Sequence, residues 1–531
     1  MKKALLVLLM TIGMFWVSIN SLFANGQNES PSDDNDVTVE TSVPMTGGSL
    51  RLVWQPMNTL DVHWTGSDPV WQLGYHIFET VLALDEKSQP IPNLCSWEYQ
   101  DGQTTLILHV RQGVLFQDGT EMKAEDVNAS LKRWLSKSSF AKLAFKNLKD
   151  LEVLDEYTIK MTLSQPSPTA LTALAFQDQG PYVMPKYVLD EAGNASVKKY
   201  IGTGPYKLAE WSPDRYIKLE RFEDYCGLDG EPKGYGGAKK QYLDSMYWIV
   251  VKDAMTQIQA LTSGDCKVGV YSATQLDQFK GYDNLVIEPT GERASMSITF
   301  NLKQGIMTNI NMRRAVLSAL DMNQVMYAAC GGKEEFYDCN PGWGPEKTIW
   351  ENNIGSDVYN KQDLQKVKQY LNAAGYKGEP IVFYGNNSTD SDKNAAMVVA
   401  EQLKQAGMNI DLRIVDWATL TQVRTDPTAY NMWCNGYTIK PDPALIAFVG
   451  NSWPGWWNTD TKNALLNNLM TEANQEKRVE AWHAFCNLIW EELPVVKIGD
   501  FNTAIVYDKH VKGIPVSAPW RRFYWNTWLT K

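Results

Sequence analysis

Residues 381–415 (IVFYGNNSTDSDKNAAMVVAEQLKQAGMNIDLRIV) carry the clearest signal of the fold class. The first four residues are apolar and aromatic, which favours a strand, and residues 394–406 have the apolar spacing of a helix that ends at Gly407. In residues 409–415 apolar and polar side chains alternate, as they do along a strand with one buried face. A strand, a helix and a second strand in this order predict a right-handed parallel crossover.

The same alternation of strands and helices continues outside this unit and predicts an α/β protein. Residues 124–135 have the spacing of a helix, and another helix is expected to begin at Asn311 as its N-cap. The chain has 531 residues, far more than one hydrophobic core supports, so two or three domains are expected.

The N-terminus predicts export. Lys2 and Lys3 precede an uncharged apolar run, and Ala24 offers a small residue for cleavage, which predicts a signal peptide over residues 1–24. The run is short for a transmembrane span, although an uncleaved anchor is the alternative. Residues 25–46 are acidic and poor in large apolar side chains, so we expect a disordered leader. No cysteine stands near the cleavage zone to accept a lipid, so the expected location is the periplasm, as a soluble protein.

Composition narrows the classes of partner. The net charge of −11 argues against nucleic acid, because phosphate binding needs a positive surface. The 20 Trp and 24 Tyr residues suit a protein that holds a small ligand between aromatic rings. Such residues also build ordinary cores.

The seven cysteines are an odd number, so an oxidising compartment leaves at least one free thiol. Cys330 and Cys339 flank a short glycine-containing loop, where a local disulfide is compatible with the spacing. Two separate buried thiols are the alternative.

Catalytic signatures are missing from the sequence. There is no G-x-S-x-G, H-E-x-x-H or P-loop pattern, and the five histidines never occur at metal-ligand spacing. We therefore expect no enzyme activity, no metal and no cofactor. A hydrolase with paired carboxylates and a chemoreceptor- or chaperone-like interaction protein are the alternatives from other classes.

Several segments, in order, resemble the family of extracellular solute-binding proteins that includes the oligopeptide-, dipeptide- and nickel-binding proteins. They span about residues 48–530. The matching segments are FETVLALD (78–85), PIPNL (90–94), SWEY (96–99), DGT (118–120), GTGPY (202–206), MRRA (312–315) and the GY and DP pairs of residues 436–443.

The resemblance implies a two-lobed periplasmic binding protein fold, type II-like and of cluster C, with a subdomain inserted in the N-terminal lobe. Lobe I would comprise residues 46–85, 199–290 and 503–531, the insert 86–198, and lobe II 291–502. Such a protein closes its lobes over a solute and delivers it to the membrane permease of an ABC importer. We expect a monomer.

The resemblance also places the ligand beside an aromatic-rich run that contains Trp433 and Tyr437. In peptide binders an aspartate three residues after the aromatic residue binds the α-ammonium of the peptide. Lys440 stands at that position, and an ammonium group cannot accept a hydrogen bond from another. Asp442, two residues later, is either a ligand residue or a structural cap.

Upstream, Trp417 matches a pocket tryptophan of the family, and Arg424 matches an arginine near the peptide site. A planar guanidinium suits a carboxylate, and the alternative for Arg424 is a surface salt bridge.

Two further clusters are candidates for ligand contact. One loop contains Trp453, Trp456 and Trp457, whose indoles are expected to stack on ligand or to pack between the lobes. A segment after the first strand contains polar and aromatic residues where an α/β sheet faces its crevice; its candidates are Asn58, Asp61, His63 and Trp64.

The expected ligand is a small solute, with a peptide as the default of the resembled family. Lys440 and the tryptophans favour a ligand without a free ammonium, and an oligosaccharide or an opine-like conjugate is therefore the alternative.

Overall fold

The computed structural model describes residues 43–65, 67–515 and 522–531, without the side chains of Ser139, Glu292, Arg293 and Tyr437. The predicted signal peptide and most of the predicted leader therefore lie outside the described residues. Residues 44–531 form one compact unit. Within the described ranges, none of the helices combines the length and the apolar content needed to cross a bilayer.

The first 150 residues of this unit contain the start of predicted lobe I and the predicted insert. The insert has its own antiparallel sheet, in the order β4-β5-β7-β6. The elements are β1 (Ser49–Trp54), α1 (Asp68–Ile77), β2 (Leu82–Leu84), β3 (Pro90–Pro92), β4 (Cys95–Gln100), β5 (Thr105–Val110), α2 (Ala124–Lys137), α3 (Ser139–Ala144), β6 (Leu148–Asp155), β7 (Thr158–Leu163), α4 (Thr169–Ala175) and α5 (Lys186–Ala192).

The chain then returns to the sheet that contains β1. This part comprises β8 (Tyr206–Ser212), β9 (Tyr216–Arg221), β10 (Pro232–Lys233), β11 (Gly236–Gly237), β12 (Ser245–Val250), α6 (Ala254–Thr262) and β13 (Val268–Tyr271).

The remaining elements belong mostly to predicted lobe II. They are β14 (Leu285–Phe300), α7 (Ile310–Ala319), α8 (Met322–Ala329), β15 (Tyr337–Asp338), α9 (Leu364–Ala374), β16 (Ile381–Asn386), α10 (Asp390–Gln405), β17 (Ile410–Val415), α11 (Trp417–Val423), β18 (Met432–Thr438), α12 (Asp460–Thr471), α13 (Gln475–Glu492), β19 (Val495–Asp508), β20 (Val511–Lys512) and β21 (Trp528–Leu529).

The predicted crossover is confirmed. β16 and β17 pair in parallel over their full length, with α10 between them. Thr389 caps α10 by accepting a hydrogen bond from the Asp392 amide, so this helix begins four residues before the predicted start. Its first turn is polar and therefore hides the apolar spacing. The helix predicted at Asn311 also begins earlier, because Asn309 is its N-cap.

One large sheet connects both predicted lobes. Its order is β17-β16-β18-β14-β19-β13-β1-β12-β9-β8, and β15 pairs with β19 beside this path. The long strands β14 and β19 pair antiparallel with each other. In the sheet they lie between the group β17-β16-β18 and the group β13-β1-β12. The α/β class predicted from the sequence is thus confirmed.

The buried apolar side chains form separate cores. The first combines β1 and α1 with the insert, and the second contains buried residues between Met296 and Val506. Buried residues of 258–279 also join the second core, and Ile439 joins the first. Core packing therefore departs from the predicted lobe boundaries at these places and at Ala504 and Val506, which lie in predicted lobe I but join the second core.

Candidate functional site

The strand directions place two sets of strand ends opposite each other. β1 is parallel to β12 and β13, and β16 is parallel to β17 and β18. The carboxyl end of β13 pairs with β19 at Ala504. The carboxyl end of β18 pairs with β14 at Ala294, which pairs with β19 at Phe501. Both sets of carboxyl ends therefore meet at residues 501–504, and ligands of α/β proteins bind outside such ends.

A cavity of about 960 Å³ lies at this meeting point. The residues that follow β1, β12 and β13 form one wall, and residues 387–390, which follow β16, form the other. Polar side chains that line it include Gln55, Asp68, Gln72, Lys252, Gln257, Gln275, Ser388, Thr389, Asp390 and Arg522. None of these is among the residues predicted from the sequence, because which strand ends face each other depends on long-range pairing in the sheet.

The helix α11 lies beside this wall, although none of its residues lines the cavity. The Asn387 amide donates to the carbonyl of Val415 at 3.0 Å, so the loop after β16 lies beside the end of β17. Asp416 then caps α11, accepting from the Thr419 amide at 2.9 Å. This cap sets the start of the helix at Trp417, whose side chain is 43% exposed. The indole is thus available at the strand ends.

Arg424 lies among three tryptophans. Its Cζ is 5.1 Å from the ring centroid of Trp417, 5.1 Å from that of Trp433 and 4.8 Å from that of Trp453. Burial lowers the pKa of the Arg424 guanidinium. Among the described residues no carboxylate forms an ion pair with it, so the predicted alternative of a surface salt bridge is not observed.

This arrangement, which we call the Arg424 cage, has a defined binding chemistry. It consists of Trp417, Arg424, Trp433 and Trp453. A guanidinium surrounded by indoles presents donors in a plane and favours a carboxylate with two acceptor oxygens. Trp417, which is 43% exposed, supplies apolar area for stacking, whereas Trp433 is 1% exposed and packs in a core behind the guanidinium. The cage combines the predicted pair Trp417 and Arg424 with one residue from each of two other predicted groups, Trp433 and Trp453.

The three loop tryptophans have different environments. Trp453 belongs to the cage, with its ring centroid 6.3 Å from that of Trp433. Trp456 stacks on Tyr430 at 6.0 Å and adopts a left-handed backbone conformation, with φ of 52°. Trp457 is buried, and its Nε1 donates to Glu492. Trp457 therefore belongs to the core of this loop, which corrects its prediction as a ligand residue.

Lys440 and Asp442 lie where lobe II meets the insert. The Lys440 ammonium is 5.3 Å from the ring centroid of Phe176 in the insert. Asp442 is buried and forms a bidentate ion pair with Arg478, at 2.7 and 2.8 Å. It also accepts from the Ala444 amide at 3.0 Å. These bonds assign Asp442 the structural role and correct its prediction as a ligand residue. The side chain of Tyr437 lies outside the described residues.

The segment after β1 lies only partly at the cavity. Asn58 is exposed, and Trp64 is 47% exposed, with the Lys137 ammonium 4.6 Å from its ring centroid. Neither lines the cavity, whose wall uses residues 52–56 instead.

The other two candidates of this segment are buried. Asp61 pairs with Arg133 at 2.5 Å and accepts from the Val197 amide at 2.9 Å, so it links the insert to the segment that follows β1. This satisfied ion pair corrects the prediction of Asp61 as a ligand residue. His63 is 6% exposed, and burial lowers its pKa to about 4. Its imidazole is therefore neutral at physiological pH and is enclosed by protein.

The cysteines are all free thiols, so Cys330 and Cys339 are not bridged. Cys330 is the C-cap residue of α8, and its Sγ is directed at the carbonyl of Phe336, 3.8 Å away. Within the described part of the chain, no three His, Cys, Asp or Glu side chains are grouped as metal ligands.

Comparisons with known proteins agree with this architecture. Residues 89–456 match the family described as bacterial extracellular solute-binding proteins, family 5 Middle. The probable peptide ABC transporter periplasmic-binding protein y4tO of Sinorhizobium fredii is 26% identical over 469 residues, covering 85% of this chain and 87% of the relative.

Two solved structures show the fold. The ABC transporter substrate-binding protein CtaP from Listeria monocytogenes superposes with a TM-score of 0.77 at 22% identity, over 92% of this chain and all of the other. The periplasmic binding protein AgaA of A. tumefaciens, in complex with agropinic acid, superposes with a TM-score of 0.73 at 22% identity, over 91% of this chain and 99% of the other. The predicted two-lobed periplasmic binding protein fold is confirmed, and the chain belongs to the bacterial extracellular solute-binding proteins of family 5.

Proposed function

We propose that this protein is the exported, monomeric receptor of an ABC importer, which captures a small solute between its lobes and delivers it to a membrane permease. Membership of the solute-binding family supports this role. The cavity between the facing strand ends supplies a binding volume, and solute capture requires no catalytic step. Closure of the lobes over the solute is then a shift between two populations of conformers.

The ligand in this proposal carries a carboxylate. The observation that carries this choice is the Arg424 cage, because no carboxylate among the described residues pairs with its half-buried guanidinium, which is therefore available to an anionic ligand. Charge-assisted hydrogen bonds to such a group are about twice as strong as neutral ones. The indoles would cover an apolar or ring-shaped part of the same ligand.

A peptide is the first candidate, since the relative y4tO is named as a probable peptide-binding protein. An opine-like conjugate is the second, and an oligosaccharide with an acidic group fits the same cage. The second candidate needs no partner for an α-ammonium, and Lys440, at the position where the resembled peptide binders have an aspartate, cannot supply one. AgaA, which holds agropinic acid, shows that this fold accommodates such a ligand.

Native mass spectrometry of the purified protein tests the ligand class through any solute that co-purifies. We expect an added mass with a carboxylate. Peptides with free amino termini would select the first candidate and exclude the second. An adduct without an acidic group would contradict the role of Arg424.

Replacement of Arg424 tests the cage directly. With the identified solute, Arg424→Gln is expected to weaken binding about 10- to 100-fold, the value of one lost charged hydrogen bond. Arg413→Gln is the matched control, because Arg413 lies on the neighbouring strand over the Tyr384 ring and pairs with Asp411. Equal affinities of the two variants would refute the proposed contact.

A further inference from the structure

Residues 439–442 connect lobe II with the insert. They follow β18 directly, and the side chain of Ile439 is 9% exposed. Ile439 belongs to the hydrophobic core that contains β1, α1 and the insert, although β18, the strand that precedes it, belongs to the other core. This residue therefore loses its apolar partners whenever lobe II separates from the core that contains β1, α1 and the insert.

Lys440 adds a polar contact at the same place. Its ammonium is 5.3 Å from the ring centroid of Phe176, which is the C-cap residue of α4 and is 1% exposed. A cation over an aromatic face is attracted by the ring quadrupole, and more strongly where water is partly removed. The ring and the cation come from opposite sides of the junction.

The last residue of the segment, Asp442, is held firmly in lobe II. Asp442 is held by two hydrogen bonds from Arg478, and Arg478 Nε donates to the carbonyl of Leu469 at 2.7 Å. Ile439 and Lys440 therefore project from a fixed support in lobe II.

The junction around this segment contains an open pocket. Its volume is about 200 Å³, and it lies between insert residues such as Tyr99 and Thr172 and lobe II residues such as Pro441 and Gln475. Polar contacts between domains permit relative motion. The junction thus has two specific contacts on a surface that can separate.

We propose that Ile439 and Lys440 form a latch that holds the insert against lobe II, so that Lys440 controls how long the lobes stay together instead of touching the solute. The proposal rests on the proposed function only in that lobe separation releases a solute. The latch itself is a property of the chain alone.

The latch stabilises only one of two states, the state in which the insert contacts lobe II. The contact of Lys440 with Phe176 exists only while the insert touches lobe II, so its loss destabilises that state alone. A cation–π contact of this kind corresponds to a change of about 2- to 30-fold in the ratio of the two states.

Amide hydrogen exchange of the full mature protein tests the latch. Lys440→Met keeps an apolar side chain of similar length and removes the charge. We expect exchange to accelerate about 2- to 30-fold in peptides covering residues 172–182 and 437–445, with the rest of both cores unchanged. Lys440→Arg, which keeps a cation over the ring, is expected to exchange at the rate of the native protein.

Two further variants separate the latch from other effects. Lys303→Met is the matched control, because the Lys303 ammonium lies at the same 5.3 Å from the Trp456 ring but within lobe II. It should leave both peptides unchanged. In a Phe176→Leu background, Lys440→Met should accelerate exchange less than it does in the native background, since the two residues act as a pair.

The outcomes distinguish the latch from the function. Unchanged exchange in Lys440→Met would overturn the latch, as would an additive effect in the double variant. If exchange accelerates as expected in a protein that binds no solute, the latch stands and the proposed function fails.

Discussion

The buried ion pair between Asp442 and Arg478 offers a strong test of the structural assignment. Their side chains are 2% and 5% exposed, with two parallel bonds of 2.7 and 2.8 Å. Asp442→Asn would keep the cap of Ala444 but remove the charge that neutralises Arg478. Breaking one partner of a buried pair costs about 3–5 kcal/mol in unfolding free energy.

We expect the lower end of this range, about 3 kcal/mol, because the asparagine oxygen still accepts one hydrogen bond. For a unit of the size of lobe II, each kcal/mol shifts the melting temperature by about 2–4 °C. Thermal unfolding should therefore show a midpoint lower by about 6–12 °C. Calorimetry or circular dichroism measures this shift.

Asp411→Asn is the control for this variant. Asp411 pairs with Arg413 on the surface, where the side chains are 41% and 46% exposed, so the loss should stay within about 1 kcal/mol. If Asp442→Asn unfolds at the temperature of the native protein and instead loses affinity for its solute, the structural role of Asp442 is refuted.

Three other measurements test the structure. Burial lowers the pKa of His63 to about 4 and that of His76 to about 3. As the pH falls through about 6.5, both imidazoles therefore become protonated in the unfolded chain but remain neutral in the folded chain. The unfolding free energy measured in urea titrations should thus fall by about 2.5 kcal/mol from pH 7 to 5.5. In His63→Gln it should fall by half as much. An unchanged unfolding free energy would contradict the burial of both histidines in the neutral form. Thiol titration of the unfolded protein should detect both Cys330 and Cys339 without a reductant, and their joint absence would indicate a disulfide. Trp457→Phe should lower the unfolding free energy by about 1–2 kcal/mol and leave solute affinity unchanged, whereas an effect on affinity alone would restore Trp457 to the ligand site.

Local patterns in the sequence predicted the fold class and one crossover correctly. Alternation along β17 and helical spacing along α10 depend only on neighbours within a few residues, because side-chain direction repeats every two or 3.6 residues. The resemblance then supplied the two-lobed architecture. Helix starts were less accurate, since the caps Thr389 and Asn309 lie outside the apolar pattern that revealed the helices.

The candidate site was predicted in part. Trp417 and Arg424 are seven residues apart, about two helical turns, so their contact was within reach of sequence reasoning. Trp433 and Trp453 join them from a strand and a loop, which no local pattern indicates. The cavity lining after β12 and β13 was missed, because the order of strands in the sheet depends on long-range pairing.

The sequence alone thus established an α/β chain, a set of aromatic and charged candidates, and an unusual lysine at position 440. Folding then distributed residues of the same type among different roles. Trp453 contacts Arg424, Trp457 is buried in a core, and Lys440 faces Phe176. Side-chain direction within a loop has no repeat, and Lys440 and Phe176 are far apart in the chain. Only the packed backbone brings such residues into contact, because burial of the two cores determines where each loop lies.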